Sequence, residues 1–146
     1  MMKKLFPIIM VSCWLAIQAN AAEWLTDLPK ALAQAKADKK MVFIDFTGSD
    51  WCPPCIALHK KILTSPEFEG YAKTNLVLVV VDFPQKMRQT EELKKANKEL
   101  ADKYKVEGFP TLIVLDSDGN QLTKDLNYDG ETPKAFIAKI EKLKKS

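Results

Sequence analysis

The chain has 146 residues, 47% of them hydrophobic and 28% charged, with 22 basic against 19 acidic side chains and a formal charge of +3. That apolar fraction is too high for a disordered segment, and so slight a charge excess, spread evenly, excludes a polycation made for nucleic acid or anionic membranes. Three cysteines are too few for a disulfide scaffold.

Met1-Met2-Lys3-Lys4 opens a short cationic start, followed by an apolar run from Leu5 to Ile17 and by Gln18-Ala19-Asn20-Ala21 with small residues at the cleavage positions. This pattern predicts a secretory signal peptide over residues 1–21 and a periplasmic or secreted mature chain over residues 22–146. The run is shorter than the about 20 apolar residues a bilayer span needs. A competing reading takes Met10-Val11-Ser12-Cys13 as a lipoprotein processing site. The apolar Trp14-Leu15-Ala16-Ile17 after it argues against that. Cleavage after Ala21 would remove Cys13, leaving two cysteines and 20 basic against 19 acidic residues. What remains suits one domain, large enough to bury roughly two thirds of its surface without staples.

Along that domain, Leu25, Leu28, Ala31, Leu32 and Ala35 recur at helical spacing and predict a first helix over about Trp24 to Ala37. Met41 to Phe46 is a nearly unbroken apolar run, as expected of a strand covered on both faces, and Asp45 is the anomaly in it. Ile56, Leu58, Ile62 and Leu63 predict a helix that Ser65-Pro66 breaks before a shorter helical piece through Tyr71. Leu76 to Val81 reads as a second strand. The Lys- and Glu-rich stretch Gln89 to Lys105 reads as a helix with Leu93, Ala96, Leu100 and Tyr104 inward and a solvated charged face. Thr111 to Leu115 is a third strand. Asp118-Gly119 signals a hairpin to a fourth over about Gln121 to Leu126, and Pro133 to Lys144 closes the chain as a helix. The Asp116 to Asn120 cluster has its glycine at the wrong place for a calcium loop and is read as a turn. Strands alternating with helices predict an α/β fold, a central mixed sheet flanked by helices on both faces.

Trp51-Cys52-Pro53-Pro54-Cys55 carries the chemistry, since two thiols three apart at the mouth of a helix can trade electrons with each other. A structural staple closing so short a loop contributes only roughly 2 kcal/mol. A zinc site normally takes four ligands, and the chain offers a single histidine, His59, and no second cysteine pair. A residue before proline avoids helical angles, so the helix should begin near Pro54 with Cys52 at its positive end, where thiolate is favoured. Pro53 and Pro54 have no N–H to offer that thiolate. A less stabilised thiolate leans toward a reductant or isomerase and away from a strong oxidant.

The chain resembles the thioredoxin-fold proteins, in particular an exported thioredoxin-like branch with an Asp-Phe-Thr-Gly-Ser-Asp-Trp-Cys string, here Asp45 to Cys52, and a second motif Gly108-Phe109-Pro110-Thr111. The resemblance implies a protein thiol–disulfide oxidoreductase with a redox-active Cys52–Cys55 disulfide, in which Cys52 attacks and Cys55 resolves. It implies a cis Pro110 lying against the disulfide, with the backbone of Phe109 exposed for a client peptide to pair with. Asp45 is then either the buried carboxylate that takes and returns the Cys55 proton, or a carboxylate satisfied by backbone donors at the strand end. One extra residue between Asp45 and the cysteines, compared with ordinary thioredoxins, changes its aim. Trp51 is a packing residue, the rim of the client groove, or both. His59 reads as a surface helix residue. No organic cofactor and no resident metal are implied. The expected partners are client proteins with thiols or disulfides and a membrane-embedded partner that resets the pair, with the chain itself a monomer. The alternative is a carrier that uses the same two sulfurs to hold a soft metal such as Cu(I).

Overall fold

The computed structural model describes residues 21–145, so the expected signal peptide and Cys13 lie outside the described residues. Four strands form one sheet in the order β1-β3-β2-β4. β2 (Met41–Thr47) runs parallel to β3 (Leu76–Asp82), with Asp45 opposite Val80 and Thr47 opposite Asp82, and antiparallel to β4 (Thr111–Leu115). Every residue of β2 is buried, as its unbroken apolar run requires.

Alternation along these strands feeds two cores. On one face Met41, Phe43, Leu78, Leu112 and Val114 pack against Leu58 and Ile62 behind the cysteines, Phe68 of α3 (Pro66–Asn75), and Phe136 and Ile140 of α5 (Pro133–Leu143). On the other, Val42, Ile44, Phe46, Val77, Val79 and Val81 meet Leu28, Ala31 and Ala35 of α1 (Leu28–Asp38), with Leu100 and Tyr104 at the end of α4 (Glu91–Lys103) against them. Helices therefore cover both faces, as the sequence predicts.

Two strands depart from the sequence reading, and on the charged helix Ala96, expected inward, is exposed. Trp24–Leu25 is not the start of a helix but a short strand, β1, parallel to β3 with Trp24 opposite Leu78. The helix waits for Asp27, whose carboxylate accepts the Lys30 N–H at 3.0 Å, and for Pro29 in the first turn. The expected strand over Gln121 to Leu126 is reduced to one bridge, Leu115 to Gln121, and two backbone bonds, Leu122 N–H to Val114 O and Leu126 N–H to Leu112 O. Side chains displace the rest of the ladder. Asp125 accepts the Leu112 N–H, Gln121 donates to Thr123 O, and Thr123 donates to Asp125 O. The hairpin turn itself forms as expected, with Asp116 accepting the N–H groups of Asp118 and Asn120 and Gly119 at φ +87°.

No helix of the described residues is long and apolar enough to cross a membrane.

Candidate active site

The site sits where β2 ends. Cys52 has extended backbone angles (φ −93°, ψ 105°) and caps α2 (Pro53–Leu58), whose first turn holds both prolines. The helix thus starts one residue earlier than expected, with Cys52 at its positive end as the proline argument requires. Because neither proline has an N–H, the donor that reaches the Cys52 sulfur is Cys55 N–H, at 3.4 Å. Cys52 and Cys55 are joined as a disulfide with Cα atoms 5.2 Å apart.

Both sulfur-bearing residues are buried, Cys52 to 4% and Cys55 to 3% exposure, so accessibility does not tell the two apart. Their surroundings do. Cys52 Sγ lies 3.7 Å from the Phe109 carbonyl oxygen, a contact to which a Cys52 thiol would donate. Phe109-Pro110 is a cis peptide bond, as the resemblance implied. Cys55 instead lines a cavity of about 440 Å³ together with Asp45, Thr47, Ser49, His59 and Val80.

Asp45 faces that cavity because β2 alternates and Met41, Phe43 and Asp45 share the sheet face on which α2 packs. The extra residue before the cysteines has not turned it away from Cys55. Its Oδ1 is buried without a hydrogen-bond partner, so the reading in which backbone donors satisfy it fails for that oxygen. Burial pushes the Asp45 carboxyl up to about 7, and the charge of Asp82 adds in the same direction.

Trp51, 37% exposed, sets its ring edge-on to Phe109 with centroids 6.0 Å apart, and Phe109 stacks on Phe83 at 5.1 Å. Its indole Nε1 donates to the Phe83 carbonyl at 2.7 Å. Trp51 both packs and borders the surface beside the disulfide. The structure therefore gathers Cys52 and Trp51 around Phe109, which precedes the cis Pro110, and places Asp45 with Cys55 along the cavity.

Several residues here escaped the sequence reading. Ser49 donates both its N–H and its hydroxyl to the Asp82 carboxylate, at 3.0 and 2.5 Å. Asp50 accepts three successive backbone N–H groups, those of Gln85, Lys86 and Met87. The signal was the extra residue in the Gly48-Ser49-Asp50 turn together with Asp82 closing an apolar strand. After Leu58 the helix widens into a π-helical turn, His59–Leu63, closed by the Thr64 N–H on the His59 carbonyl. His59 is exposed there, as expected, yet also borders the cavity. Among the described residues no group of three or more His, Cys, Asp or Glu side chains converges as a metal site.

Comparisons with known proteins point to one family. The Thioredoxin-like domain family matches residues 28–144. Disulfide bond reductase DsbH of Chlamydia pneumoniae is 41% identical over 125 residues, covering 86% of this chain and 74% of that protein. Thioredoxin-related protein DsbJ of the same organism is 29% identical over 114 residues, covering 78% of this chain but only 33% of its own length. A solved structure described as DsbH Oxidoreductase superposes with a TM-score of 0.80 at 39% identity, covering 89% of each chain.

Proposed function

The chain belongs to the thioredoxin-like family and is a thiol–disulfide oxidoreductase, and from that premise we propose that it works outside the cytoplasm, periplasmic or secreted, exchanging its Cys52–Cys55 disulfide with client proteins in the reducing or isomerising direction. The observation that carries this reading is Cys52 at the cap of α2, its sulfur held between the Cys55 N–H and the Phe109 carbonyl.

In the reduced protein, Cys52 thiolate attacks one sulfur of a client disulfide. A Cys52–client mixed disulfide forms and the other client sulfur leaves as thiolate. The Cys55 thiol then loses its proton to Asp45, attacks the Cys52 sulfur and releases the second client thiolate, re-forming Cys52–Cys55. Two electrons have passed to the client. An Asp45 carboxyl that changes protonation near neutral pH suits the proton's temporary holder. Trp51, Phe109 and the cis Pro110 border the client, whose extended backbone pairs beside Phe109. A membrane-embedded dithiol donor resets the pair.

The reducing direction is supported by the two prolines, which leave the Cys52 sulfur a single nearby backbone donor, and by the relative named as a disulfide bond reductase. Equilibration with defined thiol–disulfide buffers tests it. A reduction potential near about −270 mV is expected, and one near about −120 mV would mark an oxidant and overturn it. In exported protein, Cys55→Ser should accumulate client mixed disulfides on Cys52 and Cys52→Ser should accumulate none. Intact mass should show cleavage after Ala21.

A further inference from the structure

Asp45 has a second carboxylate close by on the same face of the sheet. In the parallel ladder Asp45 stands opposite Val80 and Thr47 opposite Asp82, so side chains 45, 47, 80 and 82 share a face and Asp82 is the diagonal neighbour of Asp45. The two carboxylates live in different surroundings. Asp45 is 5% exposed and has an unpartnered Oδ1, whereas both oxygens of Asp82 accept from Ser49. Ser49 itself lines the cavity that joins Asp45 to Cys55. The backbone beneath Asp82 is pinned separately, its carbonyl accepting from the side-chain amides of Asn97 and Gln89 at 2.9 and 3.1 Å.

We propose that Asp82, clamped by Ser49, is a positioning residue for the exchange reaction, a fixed negative charge that makes the ionised Asp45 carboxylate a stronger acceptor for the Cys55 proton. The inference rests on the proton-holding reading of Asp45 given above and extends it to residues that touch neither sulfur nor client. A carboxylate pair whose environments differ divides its labour, the hydrogen-bonded member staying charged and the buried member carrying the proton. The other ionisable groups bordering the cavity are His59 and Lys60, from the π-helical turn. Their positive forms act in the opposite sense, so the sign of the Asp82 effect is its own. Direct electrostatic coupling between Asp45 and Asp82, with Asp82 raising Asp45, accords with this arrangement.

The test is the titration of Asp45 in the full domain by carboxyl-carbon NMR, together with the pH profile of mixed-disulfide resolution, for the wild type, Asp82→Asn and Ser49→Ala. Asp82→Asn removes the charge and keeps the shape and the backbone anchors. It should move the Asp45 midpoint toward acid by about one pH unit, and the rate profile should move with it. Ser49→Ala, which removes the hydroxyl half of the clamp and leaves the backbone N–H on Asp82, should move both by less in the same direction. An Asp45 midpoint unmoved in Asp82→Asn overturns the proposal whether or not Asp45 handles the proton. A midpoint that moves while the rate profile stays fixed, with Asp45→Asn also leaving the profile unchanged, overturns the role of Asp45 and that of Asp82 with it.

Discussion

The carboxylate of Asp50 accepts the backbone N–H of Met87 at 2.9 Å, and with the N–H groups of Gln85 and Lys86 it braces the turn after β3 against the residue before Trp51. That turn carries Phe83, whose carbonyl takes the Trp51 indole and whose ring stacks on Phe109. One carboxylate therefore holds the aromatic wall beside the disulfide without touching it. Asp50→Ala should speed amide exchange at residues 85–87 by about tenfold or more and weaken client binding more than turnover of bound client. Hydrogen-exchange mass spectrometry and a KM-against-kcat comparison would read the two effects, and unchanged exchange at 85–87 would show the brace to be idle.

The same brace has a pH signature. The Asp50 carboxyl is held below its ordinary value of 3.8, chiefly by the Gln85 N–H and further by those of Met87 and Lys86. A group depressed in the folded state contributes fully above its unfolded value and loses that contribution as pH falls through the folded one. Protection of amides 85–87 should therefore be level from neutral pH to about 4 and drop below that, and Asp50→Asn should flatten the drop.

The sequence showed β2, β3, β4 and the redox pair most plainly, because strands covered on both faces are continuous apolar runs and because Pro53-Pro54 fixes where a helix can start. Asp45 stood out for the same reason, a charge inside such a run. What stayed hidden depends on neighbours far along the chain. Trp24–Leu25 is too short to show a period and becomes a strand only because β3 offers an edge. Gln121 to Leu126 has strand-like composition, yet its side chains capture the backbone groups a ladder would use. What Ser49 and Asp50 hold is not legible locally, because their partners Asp82 and Met87 lie more than thirty positions away. The π-helical turn left no mark at all in the apolar spacing.

Gly48 is required by close approach. A Cβ there would stand 2.5 to 2.8 Å from Cε2, Nε1 and Cζ2 of the Trp51 indole, closer than real carbon contacts allow. Gly48→Ala must displace the ring, breaking its bond to the Phe83 carbonyl and its edge contact with Phe109. Overpacking of this kind costs about 1–3 kcal/mol, visible as a lower denaturation midpoint with an altered Trp51 fluorescence signal. Pairing it with Trp51→Phe should recover most of the lost stability and leave client binding weakened. Equal loss in the single and double variants would mean that the glycine serves something other than the indole.

Asp45 itself should make the oxidised protein less stable as pH rises. Its carboxyl is raised from 3.8 to about 7, chiefly by burial and then by Asp82, so the folded state holds the proton more tightly than the unfolded chain. Folding is then unpenalised below about 4, where both states are protonated, and loses stability steadily until pH passes the folded value near 7. The full loss is at most roughly 4 kcal/mol, since each tenfold gain in proton affinity corresponds to about 1.4 kcal/mol. Asp45→Asn has no proton to lose. Denaturant titrations of the oxidised wild type at pH 4 and pH 8 should differ by up to that amount, and those of Asp45→Asn should differ far less, so that the variant gains on the wild type as pH rises. A wild-type curve equally steep in the variant would place the titrating group elsewhere and leave Asp45 ionised in its cavity. That outcome would also remove the reason for it to accept a proton from Cys55, because a carboxylate already stable as an anion at that depth has little drive to take one.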